Sequence, residues 1–270
     1  MVTTEELFQA GRLDDAISAQ TAEVKANPSD AERRYLLFAL LCFQGNLERA
    51  DRQLDALGMQ DPKLEMATSI YRNLLASELD RTRVFGQDAR PVLPPDAPDS
   101  IEPRLEALRN QRAGMEFASL LEKAREAESA VSGRLSDAPF GGIEDLDEFL
   151  GPVLEVYAGG RYLWMPFSCL RRLQLTPPVH LLDLLWIRAE ITDSQGNDAH
   201  VHLPALYAGS ANSGHESIQL GRVTEWEDLD GTYRGRGQKL FQLASADSGD
   251  PVDLPILEMR ELQLDAPAGS

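Results

Sequence analysis

Cysteine is almost absent from this 270-residue chain, and the two present, Cys42 and Cys169, lie far apart. A disulfide framework is therefore excluded as the source of stability, and a reducing, cytoplasmic location is expected. Long hydrophobic runs are missing too. No window approaches the ~18 apolar residues of a membrane helix, so no membrane span or membrane partner is expected. The N-terminus, MVTTEELFQAGR, has neither a basic start nor an apolar stretch, so it does not read as a secretory leader. Basic segments are the third absence. The net charge is −18, and acids outnumber bases by 15 to 11 over residues 1–90, 14 to 6 over 91–160 and 15 to 9 over 161–270. A nucleic-acid backbone would find no electrostatic footprint here. The acidity serves solubility first and a preference for basic partners second.

The usual catalytic signatures are also missing. Ser213 sits in S-A-N-S-G-H rather than in the G-x-S-x-G of a strained nucleophile elbow, and His215 beside it reads as a loop residue. Gly235-Arg236-Gly237 has Leu240 where a dinucleotide fingerprint needs its third glycine, and no βαβ pattern surrounds it. Asp198, His200 and His202 (D-x-H-x-H) would share one face of a strand and could seed a metal site. Catalytic metal sites add a second shell to three protein ligands, and beside a polar turn this triplet reads as a solvated strand face. No catalytic residue, metal or other cofactor is assigned.

What is present is a repeat. Gly11 recurs as Gly45, Leu13 as Leu47, Ala16 as Ala50 and Pro28 as Pro62, with Asn27 answered by Asp61, a period of 34 residues. That period, with these small and turn residues, resembles a tetratricopeptide (TPR) array. The glycine closes the turn of a helical hairpin, the alanine lets its helices approach, and the proline stops the second helix. Stacked hairpins leave a concave face suited to a peptide or helix of another protein.

Read in that register, residues 1–30 and 31–64 form two repeats, with Thr3 or Thr4 and Glu6 able to cap the first helix. A capping helix follows over 64–85, and Leu79 and Val84 stand where a third copy would have its glycine and alanine. ARPVLPPDAPDSIEP (89–103), with five prolines, is a linker or wrapping loop. A helical pair is expected over 101–131, turning at Gly114, and SGRLSDAPFGG (132–142) as loop. Short helices are expected over 145–150 and up to Gly159-Gly160. After Arg161 about seven alternating runs predict strands of a small barrel or sandwich, with Pro166, Pro204 and Pro255 at edges or bends. The expected fold is α+β: a TPR-like helical domain over 1–135 and a β-rich domain over 136–270. The aromatics Tyr162, Trp164, Phe167, Trp186 and Trp226 read mostly as core of the β part, with an interface role as the alternative.

Several segments in one order resemble the ImpE/TagJ family, also known as SciE-type virulence proteins. They are LGPVLEVYAGGRYLWMPF (150–167), LRRLQLTPP (170–178), DLLWIRAEI (183–191), LPALYAGS (203–210), GRVTEW (221–226), GRGQKLF (235–241) and LPILEMREL (254–262), preceded by GRLDDAI and LLFALLCFQGNLERADRQLDAL. The resemblance implies a cytoplasmic accessory protein of a bacterial type VI secretion system. It implies binding to the N-terminal helix of the small sheath subunit TssB and a link to the AAA+ ATPase ClpV, which disassembles the sheath. A non-enzymatic adaptor is the reading carried forward; a hydrolase or metal-dependent enzyme in the β half is the alternative.

For an adaptor of this design the first helix of each hairpin lines the inner face. The expected partner contacts are Tyr35, Ala39, Cys42 and Phe43 in the second repeat, and Met66 and Asn73 on the capping helix. Aromatic anchors among small residues suit an apolar helix in a groove. The alternative is that the rest of the chain fills this groove.

Overall fold

A computed structural model describes residues 2–60, 65–247 and 249–265. Among these residues seven helices precede the first strand: α1 (Thr4–Gln9), α2 (Leu13–Ala26), α3 (Ala31–Phe43), α4 (Leu47–Gln60), α5 (Glu65–Gly86), α6 (Ile101–Arg112) and α7 (Ala118–Glu126). Local chemistry sets their ends. The Thr3 hydroxyl accepts from the Glu6 N–H at 3.1 Å while the Glu6 carboxylate accepts from the Thr3 N–H at 2.8 Å, a capping box. Asp30 caps α3 by accepting from the Arg33 N–H at 3.0 Å.

The two glycines of the 34-residue period do the same job. Gly11 and Gly45 adopt φ of +79° and +74°. In each case the next residue bonds back across the turn, Arg12 N–H to the Leu7 carbonyl and Asn46 N–H to that of Leu41. Both are Schellman-type helix ends, which require the left-handed conformation that glycine tolerates. Ala16 and Ala50 are fully buried where the paired helices meet. Asp61 and Pro62, which complete the sequence period, lie outside the described residues.

The proline-rich segment wraps onto the sheet. The Val92 N–H donates to the Tyr162 carbonyl, and the Trp164 N–H donates to that of Val92, both at 3.0 Å. These bonds cover the free edge of what would otherwise be an exposed strand.

Strands begin earlier than the sequence pattern indicated. The chain enters the sheet through β1 (Gly133–Leu135), β2 (Ala138–Asp145) and β3 (Val153–Ala158). The expected loop over 132–142 is thus largely a hairpin, and the helix expected up to Gly159 is a strand. VLEVY reads as ambiguous because Glu155 interrupts an apolar run, as a helix's polar face would. All five of its residues are buried. The segment expected as a helix at 145–150 is a turn. The sheet continues with β4 (Arg161–Pro166), β5 (Leu170–Leu175), β6 (Trp186–Asp193) and β7 (Asp198–Pro204). A one-turn helix α8 (Glu216–Gln219) and the hairpin β8 (Thr224–Leu229)–β9 (Thr232–Gly237) follow. The sheet closes its sequence with β10 (Leu240–Ser245), β11 (Val252–Pro255) and β12 (Glu261–Leu264).

Among the described residues, ten strands form one antiparallel sheet in the order β11-β10-β2-β1-β12-β5-β6-β7-β3-β4, and β8–β9 stand apart. The expected sandwich or closed barrel is therefore a single open sheet, curled into a half-barrel. Pro166, Pro204 and Pro255 each end a strand, where the missing N–H costs no ladder bond. The curl encloses one core, built from residues such as Val156, Leu173, Leu203 and Phe241. The second core lies between helices and sheet. It joins Leu13, Phe38, Leu54 and Leu75 of the helices to Tyr157, Trp164 and Trp186 of the strands.

Candidate functional site

The helical and β parts meet across buried charge. Glu155, in the middle of β3, projects toward α5 with no side-chain exposure. Its carboxylate accepts from Arg81 Nε at 2.7 Å and Arg81 Nη2 at 2.8 Å, from Lys239 Nζ at 2.7 Å, and from the Tyr162 hydroxyl. Lys239 also reaches Asp145 at 2.7 Å, and Asp145 accepts from the Tyr207 hydroxyl at 2.9 Å. Burial opposes the ionisation of Glu155, but Arg81 and Lys239 outweigh it and hold the pKa at about 2. Burial is the stronger influence on Asp145 and lifts it to about 6 against the pull of Lys239. The Arg81 guanidinium also donates to the Leu206 carbonyl at 2.8 Å, so α5 is tied to β3 and to the chain after β7 at one point.

Above this spine opens a cleft of about 700 Å³. One wall is the end of α3 and the turn into α4, from Cys42 to Arg49. The second is α5 around Leu79 and Thr82, and the third is the 204–212 segment, with Trp186 beside them. The size is that of a small-ligand or side-chain pocket. Leu79 stands 45% exposed at its rim. At one end the walls touch, since a Cβ on Gly45 would lie 2.7 Å from Ala211 Cβ.

The six expected contacts do not form one open face. Tyr35 is half-buried, its hydroxyl 2.9 Å from that of Tyr71 and its ring packed on Phe38 and Tyr71. Ala39 is fully buried, and Phe43 is 1% exposed with its ring edge-on to Phe8 at 5.4 Å. Cys42 is buried, and burial holds its thiol well above the usual range. An open inner face at Tyr35, Cys42 and Phe43 is not what the structure shows: α1 packs on α3 through Phe8 and Phe43, and α5 packs on it through Tyr71 with Tyr35 and Phe38. Cys42 and Phe43 keep a place in the lining of the cleft. Met66 is exposed on the open surface, and Asn73 lies beside the β3–β4 turn, in a smaller groove with Ile70, His200 and His202.

Asp198, His200 and His202 do not converge. Asp198 accepts from the Thr192 hydroxyl at 2.6 Å, His200 lies 3.4 Å from Glu190, and His202 is turned toward α5. Among the described residues no three His, Cys, Asp or Glu side chains are grouped to hold a metal. Of the five aromatics, Tyr162, Trp164, Phe167 and Trp186 are core, and Trp226 is exposed. The sequence does not group Arg81, Asp145, Glu155 and Lys239 as one site. The one signal is at Glu155, a charge inside the otherwise apolar run VLEVY.

Hairpins of helix clamped onto the outer face of a curled antiparallel sheet, with an open cleft along the seam, define a two-part α+β architecture. A sequence model of the ImpE protein family matches residues 137–263. The type VI secretion system accessory component TagJ of Pseudomonas aeruginosa is 38% identical over 263 residues, covering 97% of this chain and 90% of that protein. The chain belongs to the ImpE/TagJ family. The crystal structure of VPA1032 from Vibrio parahaemolyticus has the same fold, with a TM-score of 0.87 over 98% of each chain at 23% identity. No helix among the described residues is long and apolar enough to cross a membrane.

Proposed function

We propose that this chain is a cytoplasmic, non-enzymatic adaptor of a type VI secretion system. In this reading the helical part (1–135) is a TPR-like array, and the β part (136–270) is a clamp that closes one side of its groove. The partner is the N-terminal helix of the small sheath subunit TssB, and the role is tied to sheath handling by ClpV. The single observation that carries the reading is the 38% identity to an accessory component over nearly the whole chain. The seam cleft supports it. An amphipathic helix is held by a few apolar anchors in a groove, and Cys42, Phe43 and Trp186 offer an apolar lining with Leu79 at the rim.

The test is a titration of a labelled peptide spanning that helix into the wild type and Leu79→Asp. Leu79 is half-exposed, so its charge substitution should leave the melting temperature unchanged. Burying a carboxylate against the docked helix should weaken binding more than tenfold, since a hot-spot contact contributes about 2 kcal/mol or more. His200→Ala should bind normally. Phe43→Ala is unsuited to the test, because that ring is core. Wild-type binding that survives Leu79→Asp would move the helix to the groove beside Asn73. Absence of wild-type binding would remove this partner.

A further inference from the structure

The β8–β9 hairpin carries the tryptophan that reaches solvent: Trp226 is 38% exposed, against 0% for Trp164 and 4% for Trp186. Trp226 pairs with Gly235, and Tyr233 pairs with Asp228. Cross-strand partners share a face, so the indole and the phenol of Tyr233, also well exposed, form one aromatic wall. That wall bounds a cavity of about 500 Å³, whose other sides include Glu144, Leu146, Gly151 and Asp253.

The wall is held in place. The Glu148 N–H donates to the Tyr233 carbonyl at 3.1 Å, and the Tyr233 N–H donates to the Glu148 carboxylate at 3.0 Å. The Trp226 ring packs on Tyr207 at 5.7 Å between centroids. From the hairpin's opposite face, the Arg234 guanidinium inserts between the rings of Phe85 and Phe149, 5.4 Å from each centroid.

The charges around the cavity do not cancel. Its cations are already engaged: Arg104 on Glu128, Arg125 on Glu148, and Lys239 behind the wall on Asp145 and Glu155. The Glu144 side chain has no hydrogen bond or ion pair among the described residues, and the Asp253 carboxylate accepts only from the Gln242 side-chain amide at 3.2 Å. Two carboxylates thus face two exposed aromatic rings across an open cavity, on a chain of net charge −18.

We infer that this cavity receives a basic side chain, arginine or lysine, from an exposed segment of a partner protein, at a site separate from the seam cleft. A ring face attracts a cation through its quadrupole, and the planar guanidinium of arginine can also stack on it. The carboxylates complete the pairing, and the acidic surface steers a basic partner toward it.

The experiment follows the indole N–H signals of full-length protein labelled with ¹⁵N at tryptophan, assigned with Trp226→Phe. The probes are the capped tripeptides Gly-Arg-Gly, Gly-Lys-Gly and Gly-Gln-Gly. The Arg or Lys peptide should move the Trp226 signal saturably, leaving those of Trp164 and Trp186 in place as internal evidence of an intact fold. The Glu144→Gln/Asp253→Asn double variant, altered only at exposed positions, should weaken that binding about tenfold, as loss of two ion pairs of ordinary surface strength implies. High salt should weaken it in the wild type. Three outcomes would overturn the inference: an equal response to the Gln peptide, no saturable response to either basic peptide, or unchanged affinity in the double variant. None of them bears on peptide binding in the seam cleft.

Discussion

Glu155→Gln is the most exacting perturbation of this fold. The substitution keeps the shape and removes the charge. Oε1 of Glu155 accepts from Arg81 and Tyr162, and Oε2 accepts from Arg81 and Lys239. Whichever way the glutamine amide is turned, its NH₂ faces donors, and two buried cations lose the anion they share. Breaking a buried ion pair from one side costs about 3–5 kcal/mol. Linkage gives an independent figure. The carboxyl is held at about 2 against an ordinary 4.5, which corresponds to about 3 kcal/mol at neutral pH. Because the folded-state value is depressed, the unfolded chain binds the proton first. The stabilisation is complete above about pH 4.5 and is lost as pH falls toward 2. Urea unfolding, followed by far-UV circular dichroism from pH 2.5 to 7, should show wild type and variant separated by about 3 kcal/mol at pH 7 and converging on acidification. A separation below about 1 kcal/mol, or one that does not change with pH, would refute the argument that this carboxylate holds the helical and β parts together.

Two further stability predictions rest on close packing. Ala50→Trp forces apart α3 and α4 at a fully buried position, and thermal unfolding should show a loss of at least about 2 kcal/mol; a melting curve like the wild type's would mean that the hairpin register is wrong. Gly235→Ala places a Cβ 2.2 Å from the ring of Tyr207. Unfolding should cost about 1–3 kcal/mol, with the Trp226 indole signal displaced because its packing partner has moved; an unshifted signal would contradict that packing.

The helical half was largely legible before the structure. Gly11, Gly45, Ala16 and Ala50 are local requirements of a helix end and of a close helix pair, and such requirements are written in residue type. Most of the alternating runs after Arg161 were legible as strands for the same reason, while ESIQL, which alternates too, is the one-turn helix α8. β1, β2 and β3 were not legible. Gly133, Gly141 and Gly142 look like loop, and Glu155 breaks an apolar run. Those residues become strand through partners far along the chain: β1 lies between β2 and β12, and β2 pairs with β10.

The same distinction separates the expected contacts from the observed ones. Tyr35, Cys42 and Phe43 fall on the inner face that the 34-residue period assigns, and the period alone left open whether anything covers it. The covering is done by α1 and α5, through Phe8 on Phe43 and Tyr71 on Tyr35 and Phe38. The arrangement depends on Arg81 meeting Glu155, 74 positions later in the chain. Helix ends, turns and strand alternation are short-range interactions, so sequence by itself determined them. The buried charge spine, the seam cleft and the aromatic–acidic cavity pair residues remote in sequence, and only the tertiary structure decides which of those residues meet.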